Sequence, residues 1–212
     1  MKISRFLGEL IGTAVILIAV VGSSFMAQDL GADWALGLLI NAAVTAAILA
    51  IVIKSFYDIS GSHFNPAVSL ALLIGRKISF RSFMPYVAAQ LVGSYIGVFI
   101  ANVMFSRKLL VNSQIDRAGI ATGVGELVAT LGLLLLAVYA SAKLVWKFVP
   151  LWIFAAYFFT SSTSFANPAV TFARVWTESL AGISPSSALL FIILQLLCGI
   201  TVGISLRQRR SE

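Results

Sequence analysis

Charge is scarce in this chain, and cysteine and histidine are almost absent. Of its 212 residues only 11% are Asp, Glu, Lys or Arg, whereas a soluble domain carries roughly 25%. The single cysteine, Cys198, excludes an internal disulfide and says nothing about compartment. With one histidine, His63, beside that one thiol, the composition argues against a His/Cys metal cluster. No cofactor is expected. A Ser–His hydrolytic dyad could use only His63, and the eight acidic residues are too scattered for a two-carboxylate active site. An enzyme is therefore not expected.

What fills the chain instead is apolar. Hydrophobic residues make up 59% of it, against about 45–50% in soluble domains, and the mean hydropathy is +0.98. A sphere of this length could not hide so much apolar surface. Long apolar stretches broken by short charged loops read as a polytopic helical membrane protein, in which lipid covers what a core cannot. The net charge of +7 would suggest nucleic acid in a soluble protein. Here the basic residues sit at the ends of apolar segments, so no nucleic-acid partner is expected and topology is the simpler cause.

A spanning helix needs about 20 mostly apolar residues. Six stretches qualify: 6–27, 34–53, 83–105, 121–142, 148–164 and 187–206, the fifth being short. The first imitates a signal peptide, with Lys2 and Arg5 ahead of an apolar run. Glu9 within it and the length of the run favour a retained span. Two further apolar stretches, 66–75 and 168–177, are about half the needed length, and each opens on Asn-Pro. Proline both breaks the preceding segment and starts a helix well. Short proline-started segments at matching places in two halves read as half-helices.

Six spans put both termini on one side of the membrane. That side holds eleven of the fifteen basic residues: Lys2, Arg5, Lys54, Arg76, Lys77, Arg81, Lys143, Lys147, Arg207, Arg209 and Arg210. The other holds Arg107, Lys108, Arg117 and Arg174. The excess makes the termini cytoplasmic, in an inner or plasma membrane.

The sequence also repeats. Ser62-His63-Phe64-Asn65-Pro66-Ala67-Val68-Ser69 returns as Ser164-Phe165-Ala166-Asn167-Pro168-Ala169-Val170-Thr171. Glu9-Leu10-Ile11-Gly12-Thr13 returns as Glu126-Leu127-Val128-Ala129-Thr130, and Gln90 has a counterpart in Gln195. The chain is thus one channel domain of two repeats, residues 1–107 and 118–212. Three spans per repeat is an odd number, so the halves are inverted and their half-helices meet from opposite faces near the midplane.

On these motifs the chain resembles the aquaporin, or major intrinsic protein, family. Asn65-Pro66-Ala67 and Asn167-Pro168-Ala169 are similar to its two signature motifs. Residues 60–64 resemble the loop before the first motif, Glu9 and Glu126 the glutamates of its first and fourth helices, and Tyr86, Ala89, Gln90 and Gly93 its third-helix pattern. The resemblance covers the whole chain. It implies an all-α membrane fold of six transmembrane helices plus two half-helices around a narrow pore, assembled as a homotetramer. It also implies passive conduction of small neutral solutes.

A helix N-terminus leaves unpaired N–H groups and about half a positive charge. Two such ends meeting at the pore centre disfavour cations and hopping protons. Asn65 and Asn167 can cap those ends through their oxygens while offering N–H donors to a solute. Glu9 and Glu126 are expected to brace the loops by accepting their amide hydrogens, since a buried charge needs partners. For His63 three roles stay open: structure, pore lining, and gating by protonation.

One departure stands out. The family usually has Arg directly after the second Asn-Pro-Ala, and here that position is Val170. Counting from the asparagines places the other filter positions at Thr45, Ala155 and Ser164, Ala155 being uncertain by one turn. This ring of small residues predicts a wide filter with a weakened cation barrier. Water and glycerol-like polyols are the expected solutes, and the resemblance to atypical bacterial members of the family implies metalloid hydroxides such as arsenite or antimonite as well. Arg174, one turn beyond Val170, either sits in the outer vestibule or snorkels to lipid phosphate. A water-dominated aquaporin and an ion-coupled secondary transporter are the alternatives.

Overall fold

The computed structural model describes residues 4–109 and 111–209. Lys2 and Arg210, counted in the charge asymmetry, lie outside the described residues. Among the described residues eight α-helices follow in order: α1 (Arg5–Asp29), α2 (Trp34–Ser60), α3 (Pro66–Ile74), α4 (Phe80–Met104), α5 (Ile120–Tyr139), α6 (Val145–Phe159), α7 (Pro168–Ala173) and α8 (Pro185–Gln208). A single 3₁₀ turn, Arg174–Trp176, continues α7. The fold is an all-helical membrane bundle. Five helices (α1, α2, α4, α5 and α8) are long and apolar enough to cross a membrane.

Local chemistry sets most boundaries. Ser4, Asp33, Ser79 and Ser184 cap α1, α2, α4 and α8 by accepting the amide hydrogen of the residue three positions on. The second helix runs to Ser60, past the apolar run that was expected to end at residue 53. Lys54 and Asp58 lower the hydropathy of its last two turns without breaking the helix, which stops only at Gly61, whose φ of +85° suits glycine.

The fifth span departs most from expectation. Helix α6 has 15 residues, which is about 22 Å of rise and short of a 30 Å hydrocarbon core. It starts three residues before the expected 148 and stops five before the expected 164. The stop falls at a Thr-Ser-Ser-Thr run whose hydroxyls compete for backbone partners: Thr160 Oγ1 donates to Ala156 O at 2.7 Å and Ser161 Oγ to Ala121 O at 2.8 Å. Irregular chain with turns and left-handed residues then leads into α7.

The half-helices sit between the long ones. Helix α3 packs against α8 and α4, α7 against α4 and α8, and α3 and α7 touch each other. Where α1 and α4 cross, their backbones nearly meet: a Cβ on Gly93 would lie 2.4 Å from Leu10 O. Contact this close between helices is the usual role of small residues in membrane bundles. Large apolar side chains such as Met84, Met104, Ile51 and Leu189 are exposed on the outside of the bundle, where lipid takes the place of a core.

Candidate functional site

The two loops that precede α3 and α7 adopt the same unusual backbone. Ser62 and Phe64 have φ of +52° and +47°, and Ser164 and Ala166 have +53° and +49°. These are equivalent places in the two repeats, three residues and one residue before each asparagine. Left-handed backbone at non-glycine residues costs about 1 kcal/mol or more apiece, and persists only where the surroundings impose it.

The buried glutamates impose it. Glu9 accepts hydrogen bonds from His63 N (3.0 Å), Phe64 N (2.7 Å), Ser60 Oγ (2.6 Å) and Gln90 Nε2 (2.8 Å). Glu126 accepts from Phe165 N (3.3 Å), Ala166 N (2.5 Å) and Gln195 Nε2 (2.6 Å), and is also bonded to Ser162. Each glutamine donates as well to a hydroxyl on the half-helix, Gln90 to Ser69 at 3.1 Å and Gln195 to Thr171 at 2.8 Å. Both carboxylates are fully buried. Each thus ties one loop, one half-helix and one long helix into a unit, so they act as scaffold.

The asparagines stand where the two units meet. Asn65 Oδ1 accepts from Ala67 N at 2.8 Å, and Asn167 Oδ1 from Ala169 N at 2.9 Å, which caps α3 and α7. Pro66 and Pro168 occupy the first helical position. Each amide nitrogen then reaches across the repeats. Asn65 Nδ2 donates to Ala166 O, and Asn167 Nδ2 to Phe64 O, both at 2.8 Å. An amide carries two N–H groups, so one on each asparagine is not used in these crossed bonds.

Two cavities flank this centre. The one on the side of the termini has a volume of about 740 Å³ and is lined by His63, Tyr57, Ser62 and Lys77 among others. His63 faces that cavity with its Nδ1 3.0 Å from Ser69 Oγ and its ring against Tyr86. The cavity on the opposite side is tighter, about 380 Å³, and holds Thr45, Ser164, Asn167 and Val170 together with Tyr157, Phe165 and Arg174.

Two placements correct the sequence reading. Ala155 does not reach this cavity: it is exposed on the outer face of α6, and Ile153 and Tyr157 take the inward positions. The early end of α6 shifts the count. Tyr157 brings a phenol hydroxyl to 3.3 Å from Thr45 Oγ1, so the ring is not built of small residues alone. Arg174 does not snorkel. It is 2% exposed, its Nε donates to Ala181 O, and its guanidinium carbon lies 3.5 Å from the centroid of the Phe165 ring. Helical Cβ bonds tilt toward the N-terminus, and the N-terminus of α7 is the pore centre, so a long side chain here points inward along the lumen. Arg174 thereby lines the same cavity as Val170.

A further residue carried no motif signal. Arg117, in the loop before α5, donates from Nε to Gly182 O and from Nη2 to Leu180 O, both at 2.9 Å, and from Nη1 to Thr163 Oγ1 at 3.4 Å. Its neighbour Asp116 accepts from Ser187 Oγ at 2.6 Å, and this bond holds the Asp116 carboxyl below its ordinary pKa. These contacts pin the loop before α5 to the segment between α7 and α8 and to the first turn of α8.

A helical membrane bundle whose two half-helices meet at capped asparagines defines a pore-forming protein of duplicated design. Residues 1–166 match the family described as Major intrinsic protein, and the chain belongs to that family. It is 41% identical over 196 residues to Aquaglyceroporin AqpS of Rhizobium meliloti, covering 91% of this chain and 84% of that one. It is 31% identical over 132 residues to Glycerol uptake facilitator protein-like 6 of Lactiplantibacillus plantarum, covering 60% and 57% of the two. In fold it is similar to the aquaglyceroporin from Plasmodium falciparum, with a TM-score of 0.69 at 20% identity over 100% of this chain and 96% of that one.

Proposed function

We propose that this protein is a passive channel for water and small uncharged polyhydroxyl solutes, of glycerol size, with metalloid hydroxides such as arsenite and antimonite among them. The observation that carries the reading is the pair of crossed bonds from Asn65 to Ala166 O and from Asn167 to Phe64 O. They leave one N–H per asparagine at the meeting point of two helix N-termini. A neutral hydroxyl can accept there, while the positive ends of both helices oppose a cation.

The outer cavity fits hydroxyl-bearing solutes. Thr45, Tyr157 and Ser164 supply hydroxyls, and the terminal nitrogens of Arg174 supply donors. Ser164 Oγ has no hydrogen-bond partner among the described residues. Ile16, Val20, Leu49 and Val170 give the same cavity an apolar side. A polyol has carbon on one edge and hydroxyls on the other, which matches this division. In this reading Arg174 serves as the filter arginine, Tyr157 replaces Ala155 in the filter, and Glu9 and Glu126 support the loops. Four protomers form a homotetramer in a cell membrane, with both termini cytoplasmic.

Proteoliposome swelling tests the proposal. Purified protein should accelerate shrinkage or swelling driven by water, glycerol and arsenite gradients, with no requirement for a proton or sodium gradient. Flux that needs such a gradient would make the protein a coupled transporter instead.

A further inference from the structure

Arg174 and Arg117 share a second, open and narrow pocket next to the outer constriction. Ser24, Asn41, Tyr157 and Thr163 are among its other walls. Both guanidinium groups pack on one aromatic ring: their central carbons lie 3.5 Å and 5.2 Å from the centroid of Phe165. Two cations are therefore held near each other inside the protein. Among the described residues no acidic side chain is in ion-pair contact with either of them, and the nearby buried carboxylate of Glu126 is spent on the Phe165 and Ala166 amides and on Gln195. The ion pair found among the described residues is Arg107 with Asp29, elsewhere.

The two arginines differ in what they have left to give. Each of the three guanidinium nitrogens of Arg117 already donates once, to the Gly182 and Leu180 carbonyls and to Thr163. Arg174 spends only Nε, on the Ala181 carbonyl. Its two terminal nitrogens have no hydrogen-bond partner among the described residues, although the side chain is 98% removed from solvent. Buried charges are normally paired, and truncated pairs are costly. A planar guanidinium with both terminal nitrogens free is the geometry that grips two oxygens of one anion side by side.

We infer that this cavity binds a small oxyanion, held by the terminal nitrogens of Arg174 in the field of Arg117. Carboxylate, sulfonate and phosphate groups all present the required pair of oxygens. Because Arg174 also lines the constriction with Thr45, Tyr157 and Val170, a bound anion stands in the path of neutral solutes and slows them. The inference rests on the proposed channel function, and it adds a ligand class and an inhibitory effect to the same mouth.

The test is glycerol flux into proteoliposomes at fixed osmolarity and ionic strength, with sodium methanesulfonate replacing sodium chloride outside. Methanesulfonate is ionised at every working pH and does not cross lipid as a neutral acid. Flux should fall saturably, by about twofold or more at about 100 mM, as mass action requires of a weak site. Inorganic phosphate should act similarly. In Arg174→Gln the dependence on methanesulfonate should vanish, whatever that variant's own flux. Equal flux in the two salts, or an equal fall in the parent and in Arg174→Gln, would overturn the inference. If Arg174→Gln does not assemble, Arg174→Lys, which keeps the charge but loses the side-by-side pair of nitrogens, takes its place and should weaken the dependence. Absence of any glycerol flux in chloride would instead count against the channel reading itself.

Discussion

Arg174 Cζ sits 3.5 Å from the centroid of the Phe165 ring. Arginine on an aromatic face is held by the ring's quadrupole and is worth about 2 kcal/mol when desolvated. Phe165 is two residues before the capping asparagine, in the loop braced by Glu126. Arg174 is thus held against the loop that leads into Asn167, a loop itself bonded to Glu126.

Selectivity should follow Arg174. Removing it in Arg174→Val takes away both bulk and charge, so glycerol flux should rise relative to water flux, and proton leak should become measurable. Restoring a guanidinium nearer the centre in Val170→Arg/Arg174→Val should reverse both changes. Val170→Arg alone crowds two cations into one cavity and should reduce glycerol flux more than water flux. Stopped-flow light scattering and a pH-sensitive dye in the same vesicles read all three variants. Unchanged ratios throughout would remove Val170 and Arg174 from the constriction.

The placement on α6 is checked by a matched pair. Ala155→Phe adds volume to an exposed outer face and should leave water and glycerol flux within about twofold, as surface changes away from special features usually do. Tyr157→Phe deletes the hydroxyl 3.3 Å from Thr45 Oγ1 and should change the glycerol-to-water ratio. The opposite pattern would return Ala155 to the filter.

Loop support is a stability matter. Glu9→Ala leaves the His63 and Phe64 amides and the Gln90 side chain without their acceptor. Each buried unsatisfied donor costs about 1–3 kcal/mol, so thermal unfolding in detergent should fall by several degrees, with loss of flux. Glu9→Gln keeps one acceptor oxygen and should be intermediate.

The asparagines separate capping from exclusion. Asn167→Asp retains an oxygen that accepts from Ala169 N but loses the donor to Phe64 O and adds negative charge at the centre. Folding should survive, because aspartate caps as well as asparagine. Cation conductance, measured by electrophysiology, should appear. A variant that folds and stays cation-tight would shift the barrier from the centre to Arg174.

Close packing of α1 on α4 predicts a different kind of failure. Gly93→Ala places a methyl 2.4 Å from the Leu10 carbonyl oxygen, and backbone on both sides cannot turn aside. Overpacking typically costs about 1–3 kcal/mol, so Tm should drop while the flux per folded protein is unaltered.

The sequence made the large plan legible because the membrane imposes it. Apolar length, basic asymmetry and the doubled Asn-Pro-Ala each report a constraint on every spanning chain of this kind. The carboxylate bracing was legible too, since Glu9 and Glu126 fall inside apolar runs, where an ionisable group demands partners. Three features were not. The inward residue of α6 depended on where a short helix stops, and hydroxyl competition at Thr160 and Ser161 decided that. Arg174 could be counted to the right face, but whether it reached inward or outward depended on the direction of α7. Arg117 looked like any outer-loop charge, because its partners are carbonyl groups that leave no mark in side-chain pattern.

The crossed asparagine bonds bear on how such a protein can be divided. Each half-helix obtains part of its hydrogen bonding from the other repeat, through Ala166 O and Phe64 O. One repeat alone would expose those groups to hydrocarbon, where nothing answers them. Either half separated from the other loses the acceptor that its asparagine uses in the whole chain. Co-expressed halves of the present chain should find each other for the same reason.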